Sequence, residues 1–216
     1  TYKMQTIAVI DYGASNLRSV SKALSYVADK KTRIMLSDKA DEILVADKIV
    51  FPGQGAMGQC MNNLSAKGLD DVLKECVRSK PFLGICLGLQ SLLEESEEDK
   101  GTLGLGIISG KVKKFTTDAR DDEGNVFKIP HMGWNSVVQE KNHALWRGID
   151  SGERFYFVHS YYVEPAEKQD IAASCSYVVD FTAAVARDNL FATQFHPEKS
   201  QQAGLDLLSN FLHWEP

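Results

Sequence analysis

Cys86 stands where a nucleophile would. Gly84-Ile85-Cys86-Leu87-Gly88 closes an apolar run, Phe82 to Ile85, and opens onto Leu89, Leu92 and Leu93 at helical spacing. A strand that runs into a cysteine and straight out into a helix has the layout of a nucleophile elbow. Glycines two residues before and two after remove side chains that so tight a turn cannot hold. The thiol would face the free N–H groups and positive end of the new helix, which favour the attacking thiolate. The N–H of Leu87 would point into the site as an oxyanion donor. Taken alone, Gly-x-Cys-x-Gly more often marks a small buried cysteine between packing glycines. Cys76, on the apolar stripe of a helix, and Cys175, in a strand, read that way, as does Cys60.

A cysteine nucleophile needs a base and a group to orient it. Phe195-His196-Pro197-Glu198 supplies both at the end of the last apolar strand. Pro197 fixes the local backbone, and Glu198 can reach back to one ring nitrogen and turn the other toward the thiol. The alternative is a turn histidine beside a solvated glutamate. His159, in Val158-His159-Ser160, is a second candidate base, ranked lower because its nearest downstream acid, Glu164, lies five residues on along a strand of alternating faces. Pro52-Gly53-Gln54-Gly55 follows another short strand, and its flexible backbone can aim a second N–H at an oxyanion or simply leave the sheet. Gln90, Glu94 and Glu98 are spaced four apart, which would place them on one face of the helix after Cys86. Acidic residues crowding its C-terminal end oppose the dipole, and such local conflicts cluster at functional sites. A solvated acidic face is the plain alternative.

These residues need a scaffold. Thr6 to Ile10, Thr32 to Leu36, Lys48 to Phe51 and Phe82 to Ile85 read as buried strands. Between them lie Leu17, Val20, Leu24 and Val27, a helix that Ser15 can cap, and the stripe Leu69, Val72, Leu73, Cys76 and Val77. Strands alternating with helices predict an α/β fold with a central, mostly parallel sheet covered on both faces, where adjacent strand ends share one ligand-binding rim. A helix after Cys86 is expected to end at Gly101. From Gly104 onward the pattern changes to strands at Ile107-Ile108, Val112, Phe127 to Ile129, Ser136 to Val138, Arg154 to Val163, Ile171 to Val178, Thr182 to Ala186 and Leu190 to Phe195, an antiparallel or mixed C-terminal half. Pro130 to Asn135 reads as a loop, and Leu205, Leu208, Phe211 and Leu212 as a closing helix. With no linker or repeat in 216 residues, residues 1–216 are expected to form a single domain.

Composition narrows the partners. The net charge of -5, without a Lys/Arg cluster, argues against nucleic acid. No apolar stretch reaches 18 residues, so no membrane span is expected. No secretory leader is recognisable, and Met4 reads as a native start with Thr1 to Lys3 ahead of it. The four cysteines show no CxxC spacing and the five histidines no metal-type pairing, so the expectation is a cytoplasmic protein with reduced thiols, no metal and no cofactor.

Taken together, the Gly-x-Cys-x-Gly, Pro-Gly-x-Gly and His-Pro-Glu segments, in this order, resemble the class I, triad-type glutamine amidotransferases, whose fold is flavodoxin-like. Asp11-Tyr12-Gly13-Ala14-Ser15-Asn16-Leu17-Arg18-Ser19-Val20, Pro130-His131-Met132-Gly133-Trp134-Asn135 and Phe157-Val158-His159-Ser160-Tyr161-Tyr162 further resemble the glutaminase-subunit family of imidazole glycerol phosphate synthase. That resemblance implies Cys86, His196 and Glu198 as a triad, with Leu87 and Gln54 or Gly55 lending oxyanion N–H groups. It implies Gln90, Glu98, Ser160 and Tyr161 as the grip on L-glutamine. A (β/α)8-barrel cyclase subunit would form the heterodimer partner, meeting Asn16, Arg18, His131, Trp134, Tyr156 and Lys199. The family's glutaminase delivers ammonia to the cyclase, which makes imidazole glycerol phosphate and aminoimidazole carboxamide ribotide in histidine biosynthesis. The alternatives are the glutaminase of another synthase (pyridoxal phosphate, anthranilate, guanylate or a surface-sugar pathway) or a non-catalytic α/β interaction module.

Overall fold

The computed structural model describes residues 3–216; Thr1 and Tyr2, two of the three residues ahead of Met4, lie outside the described residues. The N-terminal half alternates strand and helix: β1 (Gln5–Ile10), α1 (Leu17–Val27), β2 (Thr32–Ser37), α2 (Ala40–Val45), β3 (Lys48–Phe51), α3 (Met57–Ala66), α4 (Asp70–Ser79) and β4 (Phe82–Ile85). A one-turn helix α5 (Leu87–Gln90) follows, then β5 (Leu93–Ser96), β6 (Thr102–Leu103) and β7 (Ile108–Lys114). The remainder holds β8 (His131–Ser136), β9 (Val138–Gln139), β10 (Arg154–His159), β11 (Tyr161–Pro165), β12 (Ile171–Tyr177), β13 (Val179–Arg187), β14 (Leu190–Thr193) and α6 (Gln201–His213).

One large sheet runs in the order β2-β1-β3-β4-β14-β13-β11-β7-β5-β6, with β12 and β9 attached beside β13. Its first five strands are parallel. Pairing then turns antiparallel from β14 to β13 and on to β11 and β7. A separate antiparallel pair joins β8 to β10. The expected parallel and antiparallel portions are therefore one continuous sheet plus a small second one.

Period-2 alternation along the parallel strands sorts their side chains into two cores. Ile7, Val9, Val50, Leu83 and Ile85 face α1 and α6, packing with Val20, Leu24, Leu207, Leu208 and Phe211. Ala8, Ile10, Ile49, Phe51 and Phe82 face the other way, onto Ile43 of α2, Met57, Cys60 and Leu64 of α3, and Leu73 and Cys76 of α4. Burying one such Leu, Ile or Phe contributes about 1.5–3 kcal/mol, so loss of either helix layer would expose a full sheet face. The buried ammonium of Lys48 donates to the carbonyls of Phe211, Leu212 and Trp214, closing the C-terminus of α6 against the base of β3.

Several expectations fail locally. The helix after Cys86 ends at Gln90, and Leu93–Ser96 is a strand paired with β7. Gln90, Glu94 and Glu98 therefore share no helix face. His131–Ser136 is a strand rather than a loop, held by six residue pairs along β10. The single strand expected over Arg154 to Val163 breaks at Ser160 into β10 and β11. Phe127 to Ile129 forms no strand. Asn16, not Ser15, occupies the N-cap of α1, and it makes no side-chain capping bond.

Candidate active site

Three neighbouring parallel strands, β3, β4 and β14, end on the same rim. Each carries one motif at its exit: Pro52 to Gly55 after β3, Cys86 after β4, and Gln194 to Glu198 after β14. The N–H of Cys86 donates to Thr193 O at 2.7 Å, so β4 and β14 stay zipped up to Cys86.

Cys86 has φ 53° and ψ -105°, a strained backbone for a residue with a side chain. A Cβ at Gly88 would lie 1.9 Å from Phe51 O, and one at Gly84 would meet Gly88 O at 2.9 Å. Both glycines are thus required by close backbone approach, as an elbow demands. α5 is a single turn, so its dipole is far weaker than a full helix would provide.

His196 is wholly buried, and its Nδ1 lies 2.7 Å from Glu198 Oε1. Asn16 donates to the same carboxylate oxygen at 3.4 Å, while Glu198 Oε2 and His196 Nε2 have no hydrogen-bond partner. Burial by itself pushes the imidazole pKa down. The negative charge of Cys86 as a thiolate and the Glu198 carboxylate, which accepts the Nδ1–H, together outweigh burial and raise it well above the ordinary value. Cys86 and His196 are therefore electrostatic neighbours although 110 positions separate them.

His159 is arranged differently. Its Nδ1 donates to Tyr161 O at 2.7 Å, and its Nε2 lies 2.9 Å from His131 Nδ1. His131 Nε2 in turn receives Asn135 Nδ2–H at 3.3 Å. A carbonyl only accepts, so the tautomers are fixed in one direction: Asn135 to His131 to His159 to the Tyr161 carbonyl. Burial pushes His131 down to about 4 and is the main cause of lowering His159 to about 3, so both rings stay neutral. With both nitrogens taken, His159 has none for Cys86.

A cavity of about 420 Å³ opens over Cys86 and is lined by Gln54, Gly55, Leu87, Gln90, Glu98, Ser160 and Tyr161, with Tyr156 and Lys199 on its wall. Sequence spacing joined Gln90 and Glu98 through a helix that does not exist, yet the two converge here by another path. Glu98 sits in a 3-10 turn (Glu98–Lys100) and accepts Met57 N–H at 2.8 Å, capping α3. The Leu87 N–H departs from its expected role: it donates to Gly53 O at 3.3 Å instead of pointing free into the cavity.

Of the residues expected at a partner face, Arg18 and Lys199 are exposed, Trp134 is 37% exposed, and Tyr156 is half-buried with its ring edge-on to Trp134. His131 and Asn16 are buried instead. His131 stacks between Phe157 and Tyr177 and spends its nitrogens on His159 and Asn135. Asn16 reaches Glu198. Gln194 escaped the sequence reading altogether. It is fully buried, and its Nε2 lies 3.6 Å from Cys86 Sγ. Its place two residues before His196 was the only available signal.

Residues 8–214 match the glutamine amidotransferase class-I family. The chain belongs to that family. It is 56% identical over 214 residues to imidazole glycerol phosphate synthase subunit HisH of Nitrosomonas europaea, covering 99% of this chain and 100% of that one. The subunit of the same name from Methylococcus capsulatus is 52% identical, covering 99% and 98%. A solved glutamine amidotransferase structure superposes with a TM-score of 0.72 at 16% identity, covering 96% of this chain and 97% of that one, and so shares the fold. For a class-I amidotransferase, a thiol lining a cavity, with a carboxylate-held imidazole as its buried electrostatic neighbour, fits amide hydrolysis by way of a thioester.

Proposed function

We propose that this amidotransferase is the glutaminase subunit of an imidazole glycerol phosphate synthase, acting in histidine biosynthesis in the cytoplasm. The observation that carries the chemistry is the strained Cys86, an electrostatic neighbour of a carboxylate-held His196 whose Nε2 is unengaged, beneath a cavity walled by Gln90, Glu98, Ser160 and Tyr161. The Cys86 thiolate attacks the glutamine δ-carbonyl, and the His196 imidazolium protonates the departing ammonia. The thioester left on Cys86 is then hydrolysed by a water that His196 deprotonates, releasing glutamate. Gln90 and Glu98 hold the amino-acid end of the substrate, with the Glu98 carboxylate set against its α-ammonium.

Ammonia then passes to a (β/α)8-barrel cyclase docked over the rim that exposes Arg18, Trp134 and Lys199. High identity to relatives named as HisH subunits supports this partner over those of other synthases. The decisive experiment mixes the chain with such a cyclase, glutamine and the ribulosyl intermediate. Conversion to imidazole glycerol phosphate is expected; glutaminase activity without any conversion would point to another synthase.

The Leu87-to-Gly53 bond supports a gated enzyme. With that N–H engaged, the oxyanion lacks the Leu87 donor until the Gly53–Gln54 peptide turns. Oxyanion donors contribute about 10²–10³ in rate, so glutaminase activity is expected to rise by about that factor when cyclase and its ligand are added. Equal rates with and without them would end the gating idea.

A further inference from the structure

The amide of Gln194 is the one side-chain hydrogen-bond donor found on the nucleophile's sulfur among the described residues, and the network behind it fixes which end of that amide faces the sulfur. Tyr161 O can only accept. Gln90 meets it at 3.1 Å, so the Gln90 atom there is Nε2. The second N–H of the same nitrogen points at Gln194, 3.2 Å away, so the Gln194 atom there is Oε1. The other end of the Gln194 amide, 3.6 Å from Cys86 Sγ, is therefore Nε2, a donor. The His159 N–H shares the same Tyr161 carbonyl and holds it in place. Gln194 is 0% exposed and Gln90 5%, so water does not compete for these bonds. The Gln194 backbone is itself pinned by its N–H to Ala183 O at 2.8 Å.

We propose that Gln194 is a further catalytic residue, whose amide N–H, aimed by Gln90, stabilises Cys86 as the attacking thiolate. The proposal rests on Cys86 being the nucleophile. A hydrogen bond from a neutral N–H gains strength when the sulfur ionises, so it selectively favours the charged form. The one-turn α5 supplies little dipole, which leaves this amide as the directed polar group on the sulfur alongside the imidazolium of His196. The inward-facing Gln90 thereby acts on the nucleophile as well as on the substrate.

The test is alkylation by iodoacetamide from pH 5 to pH 9 on the full chain, with the modified residue read by mass spectrometry. The other thiols stay quiet: burial is the largest effect on each, raising Cys60 to about 11, Cys175 to about 12 and Cys76 likewise upward. Cys86→Ser sets the background. In the parent, Cys86 is expected to react well above background. Gln194→Met removes the donor at similar volume; it is expected to slow alkylation at pH 7 about tenfold and move the midpoint of the rate–pH curve to higher pH. A merely structural role would lower the melting temperature and leave that midpoint alone, which overturns the proposal. Should Gln194→Met fail to fold, Gln90→Met keeps the Gln194 amide but frees it to flip, and a smaller loss with the same direction of pH shift is expected. A parent-like curve there counts against Gln194. A parent Cys86 no more reactive than background would instead remove the nucleophile itself.

Discussion

Two buried histidine sites lie side by side in this molecule and do opposite things. His196 and His159 are 0% and 6% exposed, so burial alone does not distinguish them. His196 has a carboxylate on one nitrogen, the other unengaged and the charge of Cys86 close by, and its pKa is driven up. His159 has a neutral imidazole on one side and a carbonyl on the other, and its pKa is driven down. A base thus needs a counter-ion and a vacant nitrogen. A histidine with every bond satisfied is a strut, here bracing the Tyr161 wall of the cavity.

Substitutions at the two sites should separate by orders of magnitude. Cys86→Ala and His196→Gln are each expected to cut glutaminase kcat in the assembled synthase by about 10⁴-fold or more. Glu198→Gln keeps the shape but loses the counter-charge, and about 10³-fold is expected. His159→Gln should leave kcat within about tenfold and act mainly on KM and stability, because it loosens the wall that Tyr161 forms. Steady-state rates on the four variants check this. Matching losses in His159→Gln and His196→Gln would erase the distinction between base and strut.

The difference between these sites was only half legible in the sequence. His196-Pro197-Glu198 carries its orienting acid two residues away, so local spacing found it. The partners of His159 are His131, 28 positions distant, and a backbone carbonyl, and no local pattern announces either. The same holds for the fold. The inner parallel strands β3, β4 and β14 were readable because they are buried on both faces and mostly apolar; β2, at the sheet edge, is largely unburied and was read from its Ile-Met-Leu run. Leu93–Ser96 was not: Leu-Glu-Glu-Ser is helix-like by propensity, but non-local pairing overrides it, with Glu95 opposite Lys111 on β7 and their charges 2.6 Å apart. His131–Ser136 contains a glycine and polar residues, and only its partner β10 makes it a strand. α3 went unread although Met57, Cys60 and Leu64 keep helical spacing, because its acidic cap, Glu98, comes from 41 residues downstream.

A smaller effect, of opposite sign at the two sites, is expected in stability against pH. His131 and His159 have folded pKa values of about 4 and about 3, below the unfolded value of 6.5. From about pH 6.5 down to pH 4 the unfolded chain binds protons that the folded one refuses, so stability falls as pH falls, by on the order of several kcal/mol for the pair. His196 runs the other way. Its folded pKa is raised, so its contribution is complete below the unfolded value and is lost as pH rises through the folded one. Urea titrations of the parent and of a His131→Phe, His159→Phe double variant would show this. The double variant should lose much of the acid-side slope, leaving the share of His143, which burial also lowers to about 4. An unchanged slope would mean that the pair is protonated in the folded state.

The weakest link in the base site is the bond from Asn16 to Glu198, 3.4 Å long and made by a residue whose family resemblance suggests a partner contact. The structure separates the two roles, because Asn16 is 5% exposed while Arg18, two residues on, is exposed. If the amide acts through Glu198, Asn16→Ala lets the carboxylate swing and lowers kcat several-fold, on the order of one charge-assisted hydrogen bond weakened by its length, while the affinity for the cyclase stays as it was. Arg18→Ala should do the reverse, weakening association with kcat at saturation unchanged. Titrating each variant with cyclase and reading both the midpoint and the plateau distinguishes them. A shifted midpoint with a full plateau for Asn16→Ala would move that residue back to the partner face and leave Glu198 to hold His196 unaided.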